Sequence, residues 1–540
     1  MNEISDRLQA NIMRALLTIG TRFGLSFLIL LGVLLSASAA SANNIYVAQN
    51  SAGASNGADC ADARTINSLG SGDWSAGNTI HLCGTITSSL TAQGNGTSGA
   101  PITILFEPGA NFTAPAISTS GAIVLANQSF IIVDGGSTVP CGFVNGSNVT
   151  CNNGKIQSTA NGTGLANQAA SIGVEADSAN NIEIRNLEIG PLYKHTSTSD
   201  HTQSPPGPLC VQFNGANNVS IHNNTMHDAG WCLNGGGGPS TNLNMYNNEI
   251  YNVDHGVGIG NSNTNINIYG NHFHDFTTWD TTDNSFHHDG IHLFGVTGAV
   301  INGANIYNNL FDGDIGFNET AWFFGEGQIQ NIKFYNNVGY MAPGRQSGNG
   351  VFDYNGNGFT GSNNSFYNNT VLGAFVGGSG TCMMAQANTN FTMKNNVLIG
   401  CQNMTGVSSD TTLAAGGVNN NVYEDVDTDN NLGGAGNTFA WGNSQFSSFT
   451  QWKSSCGCDA NSFFGTLAKI NINATTGMPN AGSAVIGVGA NLTALGITTL
   501  DADKMGTPRP SGNSPWDAGA YQFAVLSQPA PPTNVKAVAQ

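Results

Sequence analysis

Five phrases repeat one pattern: NNVSIHNNTMHDAG (residues 217–230), TNLNMYNNEIYNVDHGVGIG (241–260), TNINIYGNHFHDF (264–276), NSFHHDGIHLFG (284–295) and ANIYNNLFDGD (304–314). Each sets an alternating apolar run before an Asn-Asn or Gly-Asn pair, then an apolar residue, then a polar turn. Anchored at Asn186, Asn223, Asn247, Gly270, Asn308, Asn336, Asn368 and Asn395, the steps are 37, 24, 23, 38, 28, 32 and 27 residues. Steps of this size with strand-type alternation predict an all-β solenoid. A lone strand such as NIEIRNLEI (181–189) cannot bury Ile182, Ile184 and Leu187; stacked coils at about 4.8 Å bury them continuously. Asn suits the bends because it tolerates left-handed backbone, and its amide can bond the same position on the next coil.

Composition agrees. Of 540 residues only 9% are charged, 40% are hydrophobic, and 71 are Gly. Fifteen Lys plus Arg against 33 Asp plus Glu give a formal charge of -18, with no basic stripe for nucleic acid. Residues 1–42 read as a signal peptide: Arg7, Arg14 and Arg22, an apolar run over 23–35, and Ala40-Ser41-Ala42 before Asn43. The run is short for a bilayer span, and no later segment could cross one, so no membrane insertion is expected after signal removal. The chain is expected to be secreted or held at the cell surface, as a monomer.

Ten cysteines in an exported chain suggest disulfides. Cys60/Cys83, Cys210/Cys232 and Cys382/Cys401 are each about one coil apart and could staple neighbouring rungs. Cys141/Cys151 would close a short loop, and Cys456/Cys458 would form a small, strained ring. There is no CxxC pair to favour structural zinc.

Residues 43–112 carry a resemblance. NNIYVAQNSAGASNGADC (43–60), WSAGNTIHLCGTIT (74–87, with a G-x-T-I-x-L phrase at 77–82) and GTSGAPITILFEPGANF (96–112) resemble the opening of the pectate-lyase-like right-handed parallel β-helix superfamily. The likeness extends through the repeats to FSSFTQWKSSCGCDANSFFG (446–465), AGSAVIGVG (481–489) and PRPSGNSPWDAGAYQF (508–523). It implies an N-terminal cap with opening coils over 43–112, a β-helix with closing coils over 113–523, and a Pro-rich tail over 524–540. It implies fold more than activity, because the superfamily holds lyases, hydrolases, epimerases and proteins without known catalysis.

Chemistry is expected where His and Asp concentrate, since five of eleven histidines fall between His272 and His292. Aligning on the paired Asn stacks His227-Asp228, Tyr251-Asn252, His274-Asp275 and Asp312-Gly313. Aligning on Gly230, Gly256 and Gly290 sets Asp254 beside His288 and His255 beside Asp289, with His292 on the face of His288 by period two. The predicted patch is Asp228, Asp254, His255, His288, Asp289 and His292. His288 is the expected base, Asp254 and Asp289 its partners, and His255 and His292 the next candidates. Residues 277–286 lengthen one coil and could offer Trp279 to a sugar ring, with His274 and Asp275 beside it.

Abstraction of a uronate proton needs a base tuned by carboxylates. Hydrolysis needs two carboxylates, roughly 5–5.5 Å apart when retaining and 6.5–9.5 Å when inverting. Val253-Asp254-His255 echoes the end of the W-I-D-H run of pectate lyases, and His288-Asp289 the end of the D-P-H-D/E phrase of mannuronan epimerases. Few cations lie near: Arg185 and Lys194 on earlier coils, Lys333 and Arg345 later. Calcium is therefore the candidate cofactor, on oxygens of Asp228, Asp254 and Asp289. The leading expectation is a carbohydrate-active protein acting on a polysaccharide by lyase, epimerase or hydrolase chemistry. The alternative is a non-catalytic surface adhesin that binds glycan along its ladder face.

Overall fold

Strand Thr241–Tyr246 shows how the coils are made: Leu243 and Met245 are buried while Asn244 and Tyr246 face outward. The pattern recurs in register on neighbouring strands. Ile182, Val219, Leu243, Ile266, Ala304 and Ile332 form one inward column; Ile184, Ile221, Met245, Ile268, Ile306 and Phe334 form the next. All these pairings are parallel, so every rung buries the apolar side of the one before it.

The computed structural model describes residues 42–523 except 137–138, 153, 161–170, 196–206, 281–286, 296–297, 317–320, 342–349, 374–379 and 426–437. The expected leader, apart from Ala42, and the Pro-rich tail lie outside the described residues. Every described strand belongs to one unit, Asn44–Gln540.

Three stacks of parallel strands make three faces. The first runs from Asn44–Ala48 to Leu413–Asn419. The second runs from Thr85–Ile86 to Phe463–Gly465, and the third from Leu90–Thr91 to Thr438–Trp441. The second and third join where Thr225–Asn234 and Glu249–Gly260 turn the corner without a break. The chain is an all-β parallel β-helix, right-handed as parallel crossovers in one sheet are.

The bend after the first face is written by the Asn pairs. The first member is left-handed: Asn223, Asn247, Gly270, Asn308, Asn336, Asn368 and Asn395 have φ between 50° and 63°. The second member is buried. Asn224, Asn248, Asn271, Asn309, Asn337, Asn369 and Asn396 each pass an amide N–H to the next carbonyl oxygen at 3.0–3.2 Å, the last to Asn421. Each oxygen also accepts the backbone N–H before it, as Asn271 does from Asn248 at 3.0 Å. Such a ladder satisfies buried polar groups that would otherwise oppose folding. The second bend is left-handed at Asp228, Asn252, Asp275 and Gly313.

Five disulfides, Cys60–Cys83, Cys141–Cys151, Cys210–Cys232, Cys382–Cys401 and Cys456–Cys458, use all ten cysteines. At the far end, helix Phe449–Cys456 buries Trp452, whose Nε1–H donates to Asp459 at 2.8 Å. Beyond the last second-face strand, residues 466–523 add no rung. They lie back over the first bend, where Arg509 donates to Asn336 Oδ1 at 2.9 Å and the Ala490 N–H to Asn395 Oδ1 at 2.8 Å.

Candidate active site

The second bend sets the register of the residues beyond it. His227 pairs with Tyr251, Tyr251 with His274, and His274 with Asp312, as the Asn alignment predicts. Past the bend Trp231 pairs with His255, and His255 with Asp289. Gly256 therefore lies beside Gly290, but Gly230 lies beside Asp254, two residues from its expected neighbour Gly256. Asp228 is itself the bend residue, opposite Asn252, so it does not reach Asp254. Its carboxylate is held 2.6 Å from His227 Nδ1 and by the Asn252 amide.

What remains is an alternating chain of carboxylates and imidazoles. Asp280 Oδ2 lies 2.7 Å from His288 Nε2, and His288 Nδ1 lies 2.5 Å from Asp254 Oδ1. Asp254 Oδ1 is 3.7 Å from His255 Nδ1, and His255 Nε2 is 3.4 Å from Asp289 Oδ2. Asp289 Oδ2 then faces His292 Nδ1 at 3.5 Å, and His292 Nε2 meets Glu326 Oε2 at 3.0 Å. His287 Nδ1 joins Asp289 Oδ2 at 2.8 Å. The chain is buried except at its far end: His287 is 32% exposed at the side chain and Glu326 17%, while Asp254, His288 and Asp289 are fully covered.

Burial alone would raise Asp254, but the charge of His255 and the bond from His288 hold it well below the usual carboxylate range. Asp289 is likewise held far down against burial, chiefly by the charge of His287. Burial disfavours the His255 imidazolium, yet the charge of Asp254 outweighs it and lifts the group to about 9. His288 is raised against burial by its bonds to Asp254 and Asp280. His292 is lowered, because burial outweighs the pull of Glu326. Two strands further along, Asp353 pairs with Phe324, the register partner of His292. Burial, with a contribution from Asp289, lifts its carboxyl to about 7, and neither of its oxygens makes a hydrogen bond.

Several expected roles are corrected by these positions. His288 is sealed between two carboxylates and reaches no solvent, so both of its ring nitrogens are engaged by Asp254 and Asp280. His292 and His288 are hydrogen-bonded to carboxylates at opposite ends of the chain, because His288 precedes strand Asp289–Gly295 and period two does not reach it. Trp279 is buried and stacked on His195 at 4.2 Å, with its ring edge-on to His288, so it is not offered to a sugar. Residues 281–286 of its insert lie outside the described residues. His274 and Asp275 sit on the second face, where His274 contacts Glu249 and stacks on Tyr251. Asp228 turns the second bend, opposite Asn252, so it is set apart from Asp254 and Asp289, the other aspartates expected to bind calcium. Arg185 is engaged by Asp134 and Glu183; Arg345 lies outside the described residues.

The sequence reading passed over five residues here: His287, Glu326, Asp280, Asp353 and Trp231, whose ring stacks on His255 at 4.2 Å. The adjacent pair His287-His288 is the available signal, since the two rings go to different carboxylates, Asp289 and Asp254. His255, His287, Asp289 and His292 also form a possible metal set, offering one ligand atom each, all within 4.8 Å of one another.

No family model and no curated protein matches the chain. Solved structures similar to it include the GH136 lacto-N-biosidase from Eubacterium ramulus, at 12% identity and a TM-score of 0.44 over 69% of this chain. The chain spans 65% of that protein's length. Pectate lyase Pel9A is 12% identical with a TM-score of 0.35, over 89% of this chain and 96% of its own. PfbA, a surface adhesin of Streptococcus pneumoniae, is 12% identical with a TM-score of 0.37, over 66% of this chain and 84% of its own. All are likenesses of fold. The parallel β-helix is the fold that the resemblance in the sequence implied.

Proposed function

We propose that the chain is an exported carbohydrate-active protein that acts on a polysaccharide at the His255–His287–Asp289–His292 cluster. The observation that carries this reading is the His287–Asp289 contact. Asp289 holds Nδ1 at 2.8 Å on the one partly exposed imidazole of the buried chain, leaving Nε2 to take a proton. An imidazole oriented by a carboxylate is a general base near neutral pH. Asp353, whose carboxyl burial lifts to about 7, is the candidate proton donor. The geometry favours proton abstraction, as in elimination or epimerisation of a uronate, over hydrolysis. Asp254 and Asp289 are both fully covered and engaged by imidazoles, unlike a pair of carboxylates flanking a scissile bond. Five disulfides suit an oxidising, extracellular setting.

A second reading, glycan binding without catalysis, is favoured by a column of stacked rings on the first face. His222, Tyr246, Tyr269, Tyr307 and Tyr335 succeed one another at 4.5–5.0 Å. A screen of polyuronates and neutral polysaccharides separates the two. The ultraviolet absorbance of unsaturated uronate ends marks elimination, new reducing ends alone mark hydrolysis, and exchange of the C5 proton marks epimerisation. Binding with none of these signals on any substrate contradicts the catalytic reading.

A further inference from the structure

His255, Asp289 and His292 converge from two neighbouring strands, with a carboxylate behind each imidazole. His292 Nε2 is 3.0 Å from Glu326 Oε2, and His255 Nδ1 faces Asp254, itself bonded to His288 and through it to Asp280. With protons on those backing nitrogens alone, the lone pairs of His292 Nδ1 and His255 Nε2 are turned toward Asp289 Oδ2, at 3.5 and 3.4 Å. His255 makes no hydrogen bond through either ring nitrogen, and neither His292 Nδ1 nor Asp289 Oδ1 makes one. All three residues are at least 95% buried. Two lone pairs facing a carboxylate in a dry site repel, and unpaired buried polar atoms are costly. The arrangement calls for a cation at its centre.

We propose that His255 Nε2, His292 Nδ1 and the Asp289 carboxylate bind one divalent first-row transition metal ion, with His287 on its open side. Two imidazoles and a carboxylate suit zinc and its neighbours, whereas calcium and magnesium seek shells of oxygen. The carboxylates behind each imidazole are the outer support that metal-binding histidines usually have, fixing tautomer and ring direction. Three protein ligands leave a position free, and the partly exposed His287 marks the side from which a substrate oxygen would reach it. The ion would also supply positive charge beside an acidic substrate, where among the described residues no Lys or Arg contacts these side chains. Binding rests on the side-chain geometry alone; that last role rests on the polysaccharide reading.

The test needs no substrate. The mature chain is stripped with chelator, then titrated with Zn2+ by calorimetry and with Co2+ by visible absorption. One equivalent of Zn2+ is expected to bind with Kd below about 1 μM and to raise the melting temperature. His292→Gln abolishes binding. Glu326→Gln, a change at a partly exposed residue, weakens it about 10–100-fold. His272→Gln, on the second face, leaves one equivalent bound. Failure of the folded wild-type chain to bind Zn2+ or Co2+ overturns the proposal and means that protons occupy the cluster. Displacement by equimolar Ca2+, or binding indifferent to both His292→Gln and Glu326→Gln, overturns it too. A chain that cleaves polysaccharide without binding metal removes only this inference; one that binds metal and acts on no glycan removes only the functional reading.

Discussion

His288 Nδ1 stands 2.5 Å from Asp254 Oδ1, with both side chains wholly out of solvent. Its other ring nitrogen is held by Asp280, so His288 is the tie between two buried carboxylates. His288→Ala should destabilise the fold by about 3–5 kcal/mol, because breaking a buried pair strands the partner charge. Denaturant unfolding checks this. A variant with wild-type stability and lost activity would instead mean that His288 meets substrate.

The Asn ladder predicts a graded series. Asn271 accepts from Asn248 and donates to Asn309 Oδ1 and to the Met245 carbonyl, all within buried surroundings. Asn271→Ala should cost about 2–4 kcal/mol, since several buried partners lose their bonds. Asn305→Ala, in the part-buried outer ladder to Asn267, should cost under about 1 kcal/mol. Equal losses would remove the distinction between the two ladders.

His274 gives a pH dependence. Burial opposes its charged form, but bonds to Asp275 and Glu249 outweigh burial and lift it from 6.5 to about 9. A raised imidazole contributes stability that is complete below the unfolded value and lost as pH rises through the folded one. The fold should therefore lose on the order of 1–2 kcal/mol between pH 6.5 and about 9, after screening at the exposed Asp275 is allowed for. His274→Gln should flatten that part of the curve in denaturant titrations at each pH. His255, in the same range, remains as the residual slope.

Asp353 should show the trade between stability and function. A buried carboxyl with no hydrogen bond to either oxygen opposes folding, and such groups persist at functional sites. Asp353→Asn should leave the melting temperature unchanged or higher while lowering kcat about 100–10,000-fold, as for loss of a general acid. Retained kcat would remove Asp353 from the reaction.

The fold was legible because its bends are written twice. An Asn-Asn pair supplies the left-handed residue and the buried amide together, so coil steps can be counted from the sequence without knowing the loops. The His255–Asp289 neighbours were legible too, because both residues stand the same distance before an aligned glycine. Asp228 was misplaced by likeness: HDAG and VDHG look equivalent, but Asp228 turns the bend and Asp254 lies beyond it. Glu326, Asp280 and Asp353 were illegible for another reason. They come from other coils or from an insert, outside any repeated phrase, and only side-chain packing joins them to the cluster.

The central claim is that the partly exposed His287, held by Asp289, does the chemistry. The deciding experiment is kcat for wild type, His287→Ala and His272→Gln on whichever polysaccharide the screen identifies, with melting temperatures alongside. His287→Ala should lose about 100-fold or more at unchanged melting temperature, and His272→Gln should keep the wild-type rate. Full activity in a folded His287→Ala chain would contradict it.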